Sequence, residues 1–164
     1  MRFGFIRTEL QIKTLTLYVL DKALRPLNFD ELTDFVMCDD AIDYFVYAEG
    51  VQYLVDTEHV QLFDNKYTIL PKGKRNLEIC LGEIPGNIRK RIVENIEEED
   101  LMRQRAERVN CQLTRDADNK MWIQCSFSDE FGEIISFKLN VLSEETGKKL
   151  MDNFKKRPEI IVKN

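Results

Sequence analysis

The side chains in this chain that could do covalent or metal chemistry are few. There is one histidine, His59, and there are four cysteines: Cys38, Cys80, Cys111 and Cys125. A structural zinc takes four ligands, usually supplied in close pairs. No CxxC pair occurs, and each cysteine stands among apolar neighbours. The cysteines therefore read as reduced core residues, and no metal or cofactor is expected. No Gly-rich phosphate loop, GxSxG or HExxH is present. The paired acids Asp39-Asp40 read as helix-terminal residues, so no catalytic residue is assigned and the chain is read as non-enzymatic. What remains is ionic chemistry. Lys66, Lys72, Lys74 and Arg75 lie within ten residues of one another, and lysine and arginine neutralise the phosphates of nucleic acid. Upstream, Tyr44, Tyr47, Tyr53 and Gln52 are the side chains that could reach base edges.

The charge map cuts across that reading. From Leu27 to Asn65 there is no Lys or Arg, but there are ten acids: Asp30, Glu31, Asp34, Asp39, Asp40, Asp43, Glu49, Asp56, Glu58 and Asp64. Residues 1–26 carry five basic residues against two acids, and residues 66–92 carry seven against two. The whole chain has a formal net charge of −5, but distribution matters more than the sum.

The elements that position these residues are legible from periodicity. Glu9–Ala23 predicts a first helix with an apolar stripe of Leu10, Thr14, Leu15, Leu17, Tyr18 and Leu20, ended by Arg25-Pro26. Asn28 and Glu31 form a capping box for a second helix through Leu32, Phe35, Val36 and Cys38. Asp40 or Asp43 caps a third, Tyr44–Thr57, with Tyr47, Val51, Leu54 and Val55 at helical spacing. Val60–Phe63 and Lys66–Leu70 then read as two strands turning at Asp64-Asn65. Pro71 opens a fourth helix through Leu77, Ile79, Cys80 and Leu81. Three helices, a hairpin and a helix in this order make a winged helix-turn-helix, placed at residues 1–83.

Ile84-Pro85-Gly86-Asn87 is a break. A charged connecting helix follows, over residues 84–108, with a thin seam of Ile88, Ile92, Val93 and Ile96. Such a helix often pairs with a copy of itself; a solvated linker is the plainer alternative. From Val109 the period becomes two. Val109/Cys111/Leu113, Met121/Ile123/Cys125/Phe127 and Ile135/Phe137/Leu139/Val141 predict a three-stranded antiparallel meander. Its turns are expected at 116–119 and 128–130. Ser143 caps a last helix carrying Leu150, Met151 and Phe154. Residues 109–164 thus form a βββα unit for dimerisation or ligand sensing, and the fold class is α+β. Apolar residues to spare in this half, such as Trp122, predict a symmetric homodimer.

Several stretches together resemble a bacterial family of unknown function whose N-terminal half is similar to the winged helices of PadR-type and MarR-type repressors. They are Ile12–Leu20, Asp43–Phe45, Val51–Val55, Tyr67–Gly73 and Ile84–Arg89. The resemblance spans the chain and is firmest from Ile12 to Arg91. It implies a winged helix and a role in transcription, with no catalytic residues. Two departures stand out. Leu70-Pro71 replaces the threonine that usually caps the helix after the wing, and Glu58-His59-Val60 replaces Gly-Leu-Ile before it. His59 is accordingly expected at a half-buried leucine position.

With 164 residues, 43% hydrophobic and 32% charged, the composition is that of an ordinary globular protein. No apolar run reaches the roughly 18 residues of a membrane span, so no membrane partner is expected. Met1–Arg7 is broken by charge too early for a signal peptide, which predicts a cytoplasmic location. Two functions compete. In one, a homodimeric regulator binds duplex DNA through Lys66, Lys72, Lys74 and Arg75 around the wing. In the other, the acidic, Tyr-rich third helix docks a basic protein partner.

Overall fold

The computed structural model describes residues 4–158; residues 1–3 and 159–164, the ends of the first and last expected domains, lie outside it. The chain divides into two compact units, the first ending at Glu98 and the second starting at Glu99.

In the first unit, α1 (Glu9–Lys22) is the element the others pack around. Thr8 opens it with a capping box closed by Gln11. Ile12, Leu15, Leu17, Tyr18, Val19 and Leu20 are all buried, so the helix is apolar most of the way round, as a central helix must be. Buried Thr14 and Thr16 keep their hydroxyls satisfied by donating to the carbonyls of Leu10 (2.7 Å) and Ile12 (2.9 Å). Leu10, expected in the stripe, is exposed. It sits in the first turn, where nothing covers it.

α2 (Phe29–Val36) starts at the Asn28/Glu31 capping box, with Glu31 N–H donating to Asn28 Oδ1 over 2.9 Å. Asp43 caps α3 (Tyr44–Asp56), accepting from Phe45 N (2.9 Å) and Val46 N (3.2 Å). β1 (Val60–Phe63) and β2 (Lys66–Ile69) pair antiparallel, with Val60 opposite Ile69 and Phe63 opposite Lys66. The turn residues Asp64 and Asn65 have φ of 49° and 57°. Both lie in the left-handed region that a two-residue hairpin demands and that Asp and Asn tolerate. Leu27 and Tyr67 exchange backbone hydrogen bonds of 3.1 and 2.7 Å, an isolated antiparallel bridge between the segment before α2 and β2. α4 (Pro71–Cys80) has Pro in its first turn and no side-chain cap. Ile79, expected on its apolar face, points to solvent, while Leu77 is buried.

A single 3₁₀ turn (Leu81–Glu83) leads to α5 (Gly86–Arg108). Ile88, Ile92 and Ile96 are buried in the first unit's own core. The seam expected to meet a second copy is therefore occupied within the chain, and the division between units falls inside this helix. Leu101 and Met102, beyond that division, are exposed.

The second unit is the meander β3 (Val109–Arg115), β4 (Met121–Asp129) and β5 (Gly132–Val141), in that order, followed by α6 (Glu144–Lys156). Val109, Ile123, Cys125, Phe127, Val141 and Phe154 form its core. Ser143 caps α6, accepting from Thr146 N over 3.2 Å. Gly147 allows close approach to the sheet: a Cβ there would lie 2.9 Å from Leu113 and 3.3 Å from Ile123. Phe154 meets Phe137 edge-on at 5.1 Å. The β4–β5 turn is at Glu130-Phe131, with Ser128 and Asp129, expected in the turn, still paired in the ladder. Asp129 pairs with Gly132, and Asp129 Oδ1 accepts from Phe131 N over 2.8 Å. Trp122, expected to wait for a partner chain, is engaged within the unit. Its Nε1 donates to Asp116 Oδ2 over 2.8 Å, and Lys138 Nζ stands 5.0 Å above its ring. That indole hydrogen bond, with the backbone N–H of Lys120, holds the Asp116 carboxyl below its ordinary range.

Candidate functional site

The end of α3, the hairpin and the start of α4 bring together most of the residues that the sequence singles out. Lys66 opens β2 at the hairpin turn, and Lys72, Lys74 and Arg75 follow in the first two turns of α4. All four are exposed. Lys72 differs from the others because its Nζ donates to the carbonyl of Thr57 over 2.7 Å, at the C-terminus of α3. A cation there satisfies an orphan carbonyl and complements the helix dipole. Lys66, Lys74 and Arg75 have no such partner among the described residues.

His59 joins the same elements from the inside. It is buried, and both ring nitrogens are used: Nδ1 lies 2.8 Å from Thr57 Oγ1 and Nε2 lies 2.6 Å from Asn76 Nδ2. Thr57 spends its own hydroxyl proton on the carbonyl of Tyr53, over 2.6 Å. It must therefore accept from Nδ1–H, while Nε2 accepts from the Asn76 amide. This is a neutral imidazole with every valence satisfied. Burial holds its pKa below the ordinary value, the Lys72 ammonium adds to that, and a backbone hydrogen bond at Thr57 opposes it. The backbone of His59 is equally committed. Its carbonyl accepts from Leu70 N over 2.9 Å, and α4 passes so close that a Cβ on Gly73 would lie 2.3 Å from the same oxygen. The roles of Asn76 and Gly73 here are not legible locally, because their partner His59 is 17 and 14 positions away.

α3 divides its candidates. Tyr44 is half exposed. Gln52 is exposed, but its amide donates to Asp56 over 2.7 Å. Tyr53 is also exposed, with Lys13 Nζ 3.5 Å above its ring. Tyr47 does not belong to the surface at all. It is 0% exposed, its ring stacks on Phe29 at 5.8 Å, and its hydroxyl shares a 3.1 Å hydrogen bond with Thr33 Oγ1. Burial raises its phenol pKa well above the ordinary value. Tyr47 continues the stripe of Val51 and Leu54, which face the core, and so cannot meet a base edge. Phe45 lies off that stripe and is 76% exposed. Its phase against Tyr47 was the available signal for an outward aromatic.

Of the paired acids, Asp39 is structural and Asp40 is exposed. Asp39 is buried, accepting from Phe5 N (2.9 Å) and Ala41 N (3.0 Å). All four cysteines are free. Burial lifts the Cys125 thiol to about 12, with Cys111 directly opposite it across the β3–β4 ladder. Among the described residues no helix is long and apolar enough to cross a membrane.

Residues 12–164 match the family model DUF4364, a domain of unknown function. The chain belongs to that family. No curated protein and no solved structure matches it. For this DUF4364 chain, then, function must be argued from its own surfaces. Two are distinctive: a cationic edge at the hairpin and α4, and an acidic face with outward aromatics at α2, α3 and the hairpin tip.

Proposed function

We propose that this DUF4364 chain is a non-enzymatic winged-helix regulator of transcription that binds duplex DNA as a homodimer. Its β1–β2 hairpin serves as the wing, and the hairpin with α4 contacts the phosphate backbone. The observation that carries the reading is the set of exposed cations Lys66, Lys74 and Arg75, unpaired among the described residues, on the hairpin and the helix that follows three packed helices. Cations already neutralised by carboxylates would release few counterions from DNA; free ones release about one each. The resemblance to PadR-type and MarR-type repressors points the same way.

Dimerisation falls to the second unit. Its sheet is covered by the single helix α6, and beside that helix a cavity of about 460 Å3 opens between Phe137, Leu139, Leu150 and Phe154. Leu139, Leu150 and Ile134 remain exposed. Apolar surface of this kind is commonly covered by a symmetry mate.

A gel-shift titration on duplex fragments, including the chain's own promoter, tests the reading at about 50 mM salt, where phosphate contacts are least screened. Salt-sensitive binding is expected. Absence of binding there overturns the regulator reading.

A second reading rests on a different observation. α3 presents carboxylates and outward aromatics where a DNA-reading helix presents cations. On that reading the first unit docks a basic protein.

A further inference from the structure

The face that runs from the start of α3 to the hairpin carries apolar side chains that rest on little of the chain itself. Phe45 is 76% exposed, and Tyr44 and Leu62 are exposed as well. Two cavities open on this face. One, of about 340 Å3, lies between the α2–α3 loop and α3, with Met37, Ile42 and Phe45 in its wall and Asp40 at its edge. The other, of about 280 Å3, lies between α2 and the hairpin, with Phe29, Leu62 and Tyr67 in its wall and Asp30 at its edge.

A row of aromatic rings connects the two. Centroids step from Phe45 to Tyr44 (5.8 Å), to Tyr47 (6.3 Å), to Phe29 (5.8 Å) and to Tyr67 (6.2 Å). Tyr67 pairs with Leu62 across the hairpin. Tyr47, at the middle of the row, is buried.

Charge decides the occupant. The acids that line the two cavities are Asp30, Asp39, Asp40 and Asp43, and no lysine or arginine lines either one. Asp30 and Asp40 are exposed, and neither has an ion-pair partner among the described residues. A nucleic acid would be repelled here, whereas a cationic segment would be drawn in. A flat acidic surface would ask only for charge. Two cavities with part-apolar walls, joined by aromatic rings, ask also for apolar anchors at two points, the pattern of an amphipathic helix lying in a groove.

We propose that this face docks a basic amphipathic segment of a partner protein. Two apolar side chains fill the cavities, and lysines or arginines lie against Asp30 and Asp40. The proposal deepens the protein-docking reading and does not depend on the DNA contact, which uses other residues.

The test uses fluorescent peptides of about 16 residues, long enough for four turns of helix, built of Lys and Ala. Each carries two leucines spaced i,i+4, i,i+7 or i,i+11, and a leucine-free peptide of the same charge is the control. Anisotropy titrations of the full chain at about 50 and about 200 mM salt are expected to show one spacing binding at least about tenfold tighter than the control, and less tightly at the higher salt. Phe45→Ala and Asp40→Lys should each weaken that peptide about tenfold. Both side chains are exposed, so circular dichroism should show an unchanged fold. If no spacing outperforms the leucine-free control, the proposal and the protein-docking reading both fall. If one spacing wins but both variants bind it unchanged, a basic segment docks elsewhere, so the reading stands and this face is wrong. If the variants instead split a self-associated form of the protein, a second copy is the occupant and the proposal is overturned.

Discussion

Removing Lys66, Lys74 and Arg75 together is the sharpest perturbation of the proposed DNA contact, because these three cations have no structural duty. None holds a carboxylate or a carbonyl among the described residues, and all are exposed. Surface substitutions of that kind change stability by less than about 0.5 kcal/mol. Each phosphate contact contributes about 0.9 to the slope of log K against log salt. The triple alanine variant should therefore lose about 2.7 of slope for each protomer seated on DNA, or about 5.4 if two protomers of a dimer engage. Between about 50 and 200 mM salt, three contacts correspond to about 40-fold in affinity. Lys72→Ala serves as an internal comparison. It should lose about 0.9 of slope and also destabilise the fold by about 0.3–1 kcal/mol, since Lys72 Nζ holds the Thr57 carbonyl at the end of α3. Fluorescence-detected DNA binding at four or five salt concentrations, with urea melts beside it, gives both numbers. A triple variant that keeps the wild-type slope refutes the assignment of these residues, whatever its absolute affinity.

Gly73→Ala should destabilise by about 1–2 kcal/mol in urea melts: its Cβ would meet the His59 carbonyl at 2.3 Å, and overpacking costs exceed the roughly 1 kcal/mol of helix propensity gained. Gly50→Ala, whose Cβ would find only Lys13 at 3.4 Å, should stabilise by about 0.5–1 kcal/mol, and the opposite signs are what the melts must show. Because the folded pKa of His59 is depressed, its contribution to stability is complete above the ordinary imidazole value of about 6.5 and is lost as pH falls through the folded value. Stability should therefore decline as pH falls below about 6.5, and His59→Gln should flatten that decline in melts at each pH. Light scattering should give a dimer mass at tens of micromolar (~, well above the dissociation constant of a stable dimer), and a monomer there would remove the homodimer from the proposal.

Features set by neighbouring residues were legible in the sequence, and features set by distant partners were not. The Asn28/Glu31 capping box, the Asp64-Asn65 turn and Pro71 at the head of α4 are all contacts within a few positions, and each stands where its local chemistry puts it; the α3 cap, open between Asp40 and Asp43, is Asp43. The α+β order of helices, hairpin, meander and final helix follows from such signals together with the change of period at Val109. Tyr47 fits two expectations, a base-edge contact and the stripe of Val51 and Leu54, and burial decides for the stripe: the Thr33 oxygen that satisfies its hydroxyl lies on another helix. The Ile88/Ile92/Ile96 seam was rightly apolar, but periodicity says only that a face is buried. It does not say whether the same chain or another covers it, and here the first unit's own core does. The cationic residues of the candidate site were found by type alone. Lys72 could be told from Lys74 only once the end of α3 was in place beside it.

The two signs of charge also allow the DNA contact and the protein-docking face to be tested with one variant. Asp43 is the wrong place to reverse charge, because its carboxylate caps α3, and a lysine there would unravel the helix start. Asp40 and Glu49 are exposed and cap nothing, so Asp40→Lys with Glu49→Lys changes the field and leaves the fold. If α3 comes within a Debye length of the duplex, about 10 Å at 0.1 M salt, the double reversal should tighten DNA binding and steepen its salt slope by up to about 1.8. The same variant should release the basic peptide, since Asp40 edges the cavity beside Phe45. Opposite movements of the two affinities would place both ligands near α3, one drawn by the carboxylates and one held off by them. Unchanged DNA binding with lost peptide binding would set the duplex on the hairpin and α4 alone, leaving α3 to the protein partner. Unchanged peptide binding would remove the acidic face from the account altogether.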